Sequence, residues 1–142
     1  MNQLVEMWDD PFNELWNKEK FICEMSQHDH QVLSGMLRKI RPKKVLEIGV
    51  AEGGTTAVIV NCLSMLDIES ELWSVDLNEK LYYNAEQDTG YVYEELKKYI
   101  KADKIMHQFC LGGTIADYID NIGDEIDFAV IDTTHKLPGE LI

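Results

Sequence analysis

Acidic and small residues stand at the ends of four short apolar runs in this sequence. The ends of these runs carry Glu47 and Gly49, then Asp76, then Leu111 and Gly112, and finally Asp132. Carboxylates accept hydrogen bonds from hydroxyl and ammonium groups, and glycines let a backbone approach a ligand closely. If the runs are strands of one parallel sheet, these residues lie together where such sheets bind their ligands.

The first of these ends is a glycine-containing loop, residues 47–55, that leads into a helical segment. A dinucleotide site would need the spacing G-x-G-x-x-G, with its pyrophosphate at the helix N-terminus. The loop lacks that spacing, and Glu47 and Glu52 would lie close to the pyrophosphate. Two like charges ~4 Å apart cost about 4 kcal/mol at an effective dielectric constant of ~20. The loop therefore favours a cationic ligand, and a tight turn with surface acids is the alternative.

Asp76 ends the second run, about half a βαβ unit after the glycine loop. A carboxylate at this place can accept hydrogen bonds from both hydroxyls of a ribose. A helix cap or a solvated acid is the alternative for a single acid after a strand. Together with the loop, Asp76 indicates a nucleoside that carries positive charge and no phosphate, a description that S-adenosylmethionine meets.

The connection that follows Asp76, residues 78–91, is polar and contains tyrosines. The tyrosines of this region would form either an aromatic wall over the site or ordinary packing contacts, and packing is favoured. They are Tyr82, Tyr83, Tyr91 and Tyr93.

The elements that position these residues alternate along the chain. Four apolar runs have the length and composition of buried strands: residues 45–48, 71–76, 105–110 and 126–132. Helical segments lie between them, including the apolar residues 56–66. Capping boxes predicted at Ser26 with Asp29 and at Thr114 with Asp117 begin two further helices. Strict alternation of strand and helix predicts an α/β protein with a Rossmann-like parallel sheet and flanking helices.

The composition is that of one ordinary globular domain. The chain has 142 residues, of which 45% are hydrophobic and 27% charged. Residues 1–25, rich in aromatic and acidic side chains, are predicted to form an N-terminal helical segment, and residues 26–142 the Rossmann-like domain. The 13 basic residues are outnumbered by 26 acidic ones, a net charge of −13. This charge disfavours nucleic acid and anionic membranes as partners.

The sequence also lacks a secretion or membrane signal. No apolar run approaches the roughly 20 residues that span a bilayer, and the acidic N-terminus has no signal-peptide pattern. Cys23, Cys62 and Cys110 are odd in number and widely spaced, which argues against a disulfide framework. These features predict a reduced, cytoplasmic protein.

Three motifs carry a resemblance to a known family: VLEIGVAEGGTT, WSVDLN and DFAVIDTTH, in that order. They resemble the class I S-adenosylmethionine-dependent methyltransferases over about residues 31–140. The likeness is closest to small-molecule and sugar O-methyltransferases of the cephalosporin-hydroxylase-like and macrolide types. It implies S-adenosylmethionine as cofactor and O-methylation of a sugar or another hydroxylated small molecule as the reaction.

The resemblance also assigns binding roles to single residues. The acid and the small residues of the first motif would line the methionine part of the cofactor: Glu47, Gly49, Ala51 and Gly53, with Ala51 in place of the family's second glycine. Asp76 would bind the ribose, and Leu77 would flank the adenine. The turn formed by Leu111, Gly112 and Gly113 would border the adenine from the other side.

The segment from Asp132 to His135 resembles the family's D-G-D-H motif. In metal-dependent members the first acid binds a divalent cation such as magnesium, and a nearby histidine or lysine helps to deprotonate the acceptor hydroxyl. The resemblance thus implies catalytic roles for Asp132 and His135, with Asp132 as the metal ligand. Thr134 replaces an acid of the motif, which argues against the metal. Imidazole suits general-base work at neutral pH, and a hydrogen bond within the turn is the alternative for His135.

The family's sheet has seven strands, of which this chain would supply the first four, in the order 3-2-1-4, before it ends at Ile142. We therefore expect a truncated fold whose acceptor site is missing or completed by another chain. The fourth strand, residues 128–131, would leave an unpaired edge, which predicts self-association. Two alternatives to a methyltransferase stay open: a non-catalytic binding or assembly module, and a nicotinamide-dependent oxidoreductase, against which the loop glycines argue.

Overall fold

The structure is a computed structural model that describes Glu6 and residues 15–133. Its strands are β1 (Lys44–Ile48), β2 (Ser70–Asp76), β3 (Lys80–Leu81), β4 (Asn84–Asp88), β5 (Ile105–Leu111) and β6 (Phe128–Ile131). Its helices are α1 (Gln27–Ile40), α2 (Gly54–Met65), α3 (Tyr91–Leu96) and α4 (Ile115–Ile122), and a short 3-10 turn follows α3 at Lys97–Tyr99.

Four strands form one parallel sheet in the order β5-β2-β1-β6. Numbered along the chain among these four, that order is 3-2-1-4, which confirms the prediction. β1 is one of the two inner strands, with Leu46 opposite Trp73 of β2 on one side and opposite Ala129 of β6 on the other.

The two faces of the sheet bury different side chains, because successive residues of a strand point to opposite faces. Val45 belongs to the larger core, which α1, α2 and α3 cover, whereas Leu46 belongs to a smaller core beneath α4. Helix α2 is apolar on all sides and its residues 57–60 are almost fully buried. Its β-branched run therefore forms a buried helix, as its length predicted.

The two predicted capping boxes are confirmed. Ser26 and Asp29 form a capping box at the start of α1, and Thr114 and Asp117 form one at the start of α4. Each box pairs backbone N–H groups that have no partner within the helix. Helix α1 ends at Arg41, which has a left-handed backbone with φ of 52°.

The polar connection over residues 78–91 contains an antiparallel pair of strands that the sequence did not predict. β3 and β4 form this hairpin, and the ammonium of Lys80 pairs with the carboxylate of Asp88 across it. Every residue of β4 is exposed, so the segment has none of the polar–apolar alternation that indicates a strand. The N–H of Thr89 donates to the carbonyl of Glu79 at 3.0 Å and closes the base of the hairpin.

The fourth strand of the sheet is shorter and more exposed than its apolar sequence predicted. It covers residues 128–131 rather than 126–132, and of its side chains only Val130 is buried. Ile131 is 54% exposed. β6 lies at the edge of the sheet, with no strand on its outer side among the described residues.

Two simpler expectations can also be compared with the structure. No helix within residues 15–133 is long and apolar enough to cross a membrane. All three cysteines are free, so no disulfide framework exists.

Gly49→Ala should destabilise the protein more than Gly112→Ala. Both glycines have positive φ, 93° and 80°, so each substitution strains the backbone. A Cβ on Gly49 would lie 1.8 Å from the carbonyl oxygen of Asp132, whereas one on Gly112 would meet the side chain of Glu79 at 3.1 Å. The backbone at Asp132 cannot move away as the Glu79 side chain can. We therefore expect Gly49→Ala to lower the free energy of unfolding by about 1–3 kcal/mol more than Gly112→Ala does.

The free energy of unfolding in urea measures both losses. Equal values for the two variants would contradict the close approach of β1 to the end of β6.

Candidate functional site

The carboxyl ends of β1, β2, β5 and β6 meet at one edge of the sheet, and the predicted site residues follow them. From β1 the chain continues to β2 and then β5 on one side, and later returns to β6 on the other. This reversal next to β1 is the switch point at which parallel sheets bind ligands. The structure therefore gathers the predicted residues at the expected edge.

Two glycines of the loop are required by packing. A Cβ on Gly53 would lie 2.9 Å from Cα of Gly90 and 3.1 Å from Cβ of Tyr93. A Cβ on Gly49 would overlap the carbonyl of Asp132. The space beside these glycines is filled by protein atoms, which by itself requires residues without a Cβ. Their place beside the cofactor stays a prediction.

Ala51 occupies the position of the family's second glycine and has a left-handed backbone, with φ of 46°. Such a conformation costs an L-residue about 1–2 kcal/mol. The carbonyl of Ala51 accepts from the N–H of Gly90 at 2.8 Å, and that of Glu52 accepts from Val92 at 2.8 Å. These bonds connect the loop to the start of α3 and hold the strained residue in place.

Asp76 connects the end of β2 to the glycine loop. Its Oδ2 accepts from the N–H groups of Val50 at 2.8 Å and Ala51 at 3.2 Å. Its Oδ1 accepts from the N–H of Asn78 at 2.9 Å, with the side-chain amide of Asn78 farther away at 3.4 Å. The bond from the Asn78 side chain is long, so a ribose hydroxyl can take its place on Oδ1. Oδ2 already accepts two backbone N–H groups, so Oδ1 is the oxygen that a ribose hydroxyl would reach. The ribose role of Asp76 stays a prediction.

An open cleft of about 570 Å³ lies next to Asp76. It is lined by Leu77, Asn78, Glu79, Lys80, Leu81, Tyr82 and Gly112. Leu77 is 66% exposed, and the N–H of Gly112 donates to the carbonyl of Asp76 at 3.0 Å. The two proposed adenine neighbours, Leu77 and Gly112, therefore face one cleft.

The other two residues of the predicted adenine turn do not line this cleft. Gly113 is buried, and a Cβ on it would lie 3.0 Å from the Asp117 carboxylate and the Tyr118 ring. The carbonyl of Leu111 accepts from the Tyr118 hydroxyl. Leu111 and Gly113 thus contact α4, on the side of the turn away from the cleft.

Glu47 is fully buried in the middle of the sheet, close to the same edge. Its Oε2 accepts from the hydroxyls of Ser74 at 2.6 Å and Thr56 at 2.8 Å. The pKa of this carboxyl is raised from 4.5 to about 7, and burial is the largest cause. The charges of Asp76 and Asp132 also raise the pKa, whereas the two hydroxyl bonds lower it. Glu47 is thus a buried titrating group at the site and not a surface acid.

The fold matches solved methyltransferases. One from Podospora anserina, bound to S-adenosylhomocysteine, is 18% identical, with a TM-score of 0.54 over 89% of this chain and 51% of its own. An O-methyltransferase from Bacillus cereus with the same ligand is 16% identical, with a TM-score of 0.55 over 88% and 55%. TomG, an O-methyltransferase from Streptomyces achromogenes in complex with S-adenosylmethionine, is 15% identical, with a TM-score of 0.54 over 92% and 56%.

The chain has the class I methyltransferase fold. It spans about half the length of these solved structures. No family model and no curated protein sequence matches it, so the likeness concerns the fold.

Within this class I fold, the β3–β4 hairpin stands beside the glycine loop. The hydroxyl of Tyr83 donates to Glu52 of the loop, and that of Tyr82 donates to Glu24. The two rings meet edge to face at 4.9 Å between centroids, and both are more than half exposed. The sequence carried no signal for these pairs, because the partners lie 31 and 58 residues apart.

The other tyrosine contacts follow the packing interpretation. Tyr93 is buried, and its ring meets His107 at 4.7 Å and Phe109 at 5.8 Å. It therefore belongs to the core and not to a wall over the site.

The proposed catalytic segment is only partly visible. Asp132 follows β6, and its N–H donates to the carbonyl of Ile48 at 2.9 Å, which places it at the edge of the site. His135 lies outside the described residues. Within residues 15–133, no group of three or more His, Cys, Asp or Glu side chains is arranged to hold a metal ion.

Proposed function

We propose that this chain is the cofactor-binding part of an S-adenosylmethionine-dependent O-methyltransferase that acts on a sugar or another hydroxylated small molecule. The observation that carries the proposal is the cleft next to Asp76, lined by Leu77 and Gly112, in a fold shared with an O-methyltransferase solved with S-adenosylmethionine. These residues would supply an acceptor for a ribose hydroxyl and two neighbours for the adenine.

The charge of the site also suits this cofactor. Glu47, Asp76 and Asp132 lie close enough for their charges to interact, and Glu79 lines the cleft. A sulfonium and an ammonium group are favoured beside such acids, whereas the pyrophosphate of a nicotinamide dinucleotide is repelled. The residues present therefore fit S-adenosylmethionine better than a dinucleotide.

In the proposed reaction the cofactor would supply a methyl group to an acceptor oxygen. Asp76 would hold the ribose, and Leu77 and Gly112 would fix the adenine. Holding two reactants in line can contribute roughly 7–11 kcal/mol to catalysis. His135 is proposed to take the proton of the acceptor hydroxyl, and Asp132 would be the ligand of a divalent metal if one takes part.

Calorimetric titration with S-adenosylmethionine, S-adenosylhomocysteine and NAD tests the proposal against its alternatives. Binding of the first two and not of NAD is expected; binding of NAD alone would instead favour an oxidoreductase. A mass-spectrometric screen for methyl transfer to hydroxylated small molecules then distinguishes an enzyme from a non-catalytic binding or assembly module. The cytoplasm as its compartment stays a prediction.

Asp76→Ala should weaken S-adenosylmethionine binding by about 1–3 kcal/mol, the cost of leaving a ribose hydroxyl without its charged acceptor. The substitution also removes two backbone bonds to the loop, so part of its effect is on stability. Titration calorimetry on the folded protein measures the affinity.

Asp127→Ala is the matched control for the lost backbone bonds. Asp127 accepts from the N–H groups of Lys43 at 2.8 Å and Lys44 at 2.9 Å, at the opposite end of β1. Asp127→Ala should lower the free energy of unfolding about as much as Asp76→Ala does, and it should bind S-adenosylmethionine with the affinity of the parent. If Asp76→Ala and Asp127→Ala bind the cofactor equally well, the ribose assignment is wrong.

His135→Ala should lower turnover about 100-fold or more and leave cofactor affinity nearly unchanged, as expected when a general base is removed. The measurement is methyl transfer with the active protein, followed by calorimetry of the same variant. Unchanged turnover would refute the role of His135 as general base. Activity that a chelator does not change would refute the role of Asp132 as a metal ligand.

Self-association through β6 is proposed for the same chain. β6 has β1 on one side and no strand on the other among the described residues. An apolar groove of about 330 Å³ runs between β6 and α1, lined in part by Val32, Met36 and Phe128. Unpaired edges of this kind are templates for another strand, and charge repulsion is screened beyond ~8–10 Å at physiological salt.

Light scattering over a dilution series should therefore reveal a concentration-dependent dimer. Ala129→Lys, on an exposed position of β6, should shift the protein towards the monomer, because an edge lysine opposes strand pairing. Met106→Lys is the control, because Met106 is exposed on β5 at the opposite edge of the sheet. It should leave the monomer–dimer equilibrium unchanged. A monomer at every concentration would contradict the proposal.

A further inference from the structure

The carboxyl of Glu47 has an uneven set of hydrogen bonds. Both of its donors, the hydroxyls of Ser74 and Thr56, reach the same oxygen, Oε2. The other oxygen, Oε1, is buried and has no hydrogen-bond partner among the described residues. Buried polar atoms are nearly always paired in folded proteins, so an exception calls for an explanation.

The groups around Glu47 supply no positive charge. β2 contributes Ser74 and Asp76, the residue after β6 is the acid Asp132, and α2 contributes the hydroxyl of Thr56. No ion pair involves Glu47 within the described part of the chain.

Two further titratable groups lie near Glu47: His107 of β5, and the thiol of Cys23, which contacts Thr55 of α2 and interacts with the charge of Glu47. The Nε2 of His107 lies 3.1 Å from the Ser74 hydroxyl, and burial lowers the pKa of this imidazole to about 4. The ring is therefore neutral near pH 7. With its proton on Nε2 it donates to Ser74, and Ser74 in turn donates to Glu47.

Neither protonation state of Glu47 is satisfied by the protein alone. Since both donors occupy Oε2, the proton of the neutral form resides on Oε1, where no acceptor receives it. The ionised form leaves Oε1 as a buried anionic oxygen without a donor. A positive charge brought close to Oε1 favours the ionised form, either by direct contact or through space.

We propose that cofactor binding expels a proton from Glu47, and that Ser74 is the positioning residue that holds the carboxyl so that Oε1 is left for the positive charge of the ligand. The inference rests on the proposed function, because S-adenosylmethionine supplies that charge. The O–H bond at Oε1 breaks, the proton goes to the buffer, and no group is oxidised or reduced.

Calorimetric titration with S-adenosylmethionine in two buffers of different ionisation enthalpy counts the protons. At pH 6.5 the parent should release more protons per bound ligand than Glu47→Gln, and the difference should vanish at pH 8.5. Affinity at pH 8.5 should be about tenfold or more lower in Glu47→Gln, which has lost a charged partner.

Ser74→Ala tests the positioning role. Without the Ser74 donor the ionised carboxyl is less stable, so proton release should continue to a higher pH than in the parent. Ser64→Ala is the matched control, since the Ser64 hydroxyl donates to the Asn61 carbonyl within α2 and touches no part of this network. An unchanged pH profile in Ser74→Ala would overturn the positioning role.

Thermal unfolding of the free protein gives a second readout that needs no ligand. The folded-state pKa of Glu47, about 7, is above its ordinary value of 4.5. Between these values the folded state holds more protons than the unfolded state, so stability falls as pH rises through this window. Glu47→Gln should remove that decline, whereas Glu86→Gln, on the exposed strand β4, should not.

The outcomes separate this inference from the proposed function. If the parent binds S-adenosylmethionine but matches Glu47→Gln in proton release, or if both have the same pH dependence of stability, this inference alone is overturned. If the parent binds no S-adenosylmethionine at all, the proposed function fails and this inference fails with it.

Discussion

The carboxylate of Asp76 is the interaction on which the site depends. Its two bonds to the N–H groups of Val50 and Ala51 fix the glycine loop against the end of β2. The loop in turn holds the start of α3 through Gly90, and the hairpin through Glu52 and Tyr83. Because charged hydrogen bonds are about twice as strong as neutral ones, one acid can organise several segments that have little regular structure.

Most of the fold was predictable from the length and hydrophobic pattern of its segments and from their capping residues. Helix α2 has a β-branched sequence that favours a strand, yet its length and apolar character on every side identify a buried helix. The capping boxes at Ser26 and Thr114 were readable because a box needs only two residues at a fixed spacing. The sheet order followed from the resemblance, since alternation alone does not specify which strands are neighbours.

The features that escaped prediction depend on contacts between distant residues. The exposed β3–β4 hairpin has no hydrophobic pattern and is fixed by partners elsewhere in the chain, such as Glu24 and Glu52. The reason for Gly49 and Gly53 also lay outside the local sequence, because only the packed structure reveals what a Cβ would meet. Glu47 was predicted to lie beside a cationic ligand, with a surface acid as the alternative, and its complete burial could not be deduced from its neighbours in sequence.

The contact between Gly49 and the carbonyl of Asp132 joins two parts of the molecule with no side chain between them. On its other side Gly49 donates to the carbonyl of Val75 at 2.9 Å, so this single residue is held between β2 and the end of β6. Packed backbones have little room to yield, and a shift at the end of β6 must be passed on to the glycine loop. Within the described residues β6 has an unpaired edge, and a strand that paired there and shifted β6 would therefore also shift the loop that surrounds Asp76.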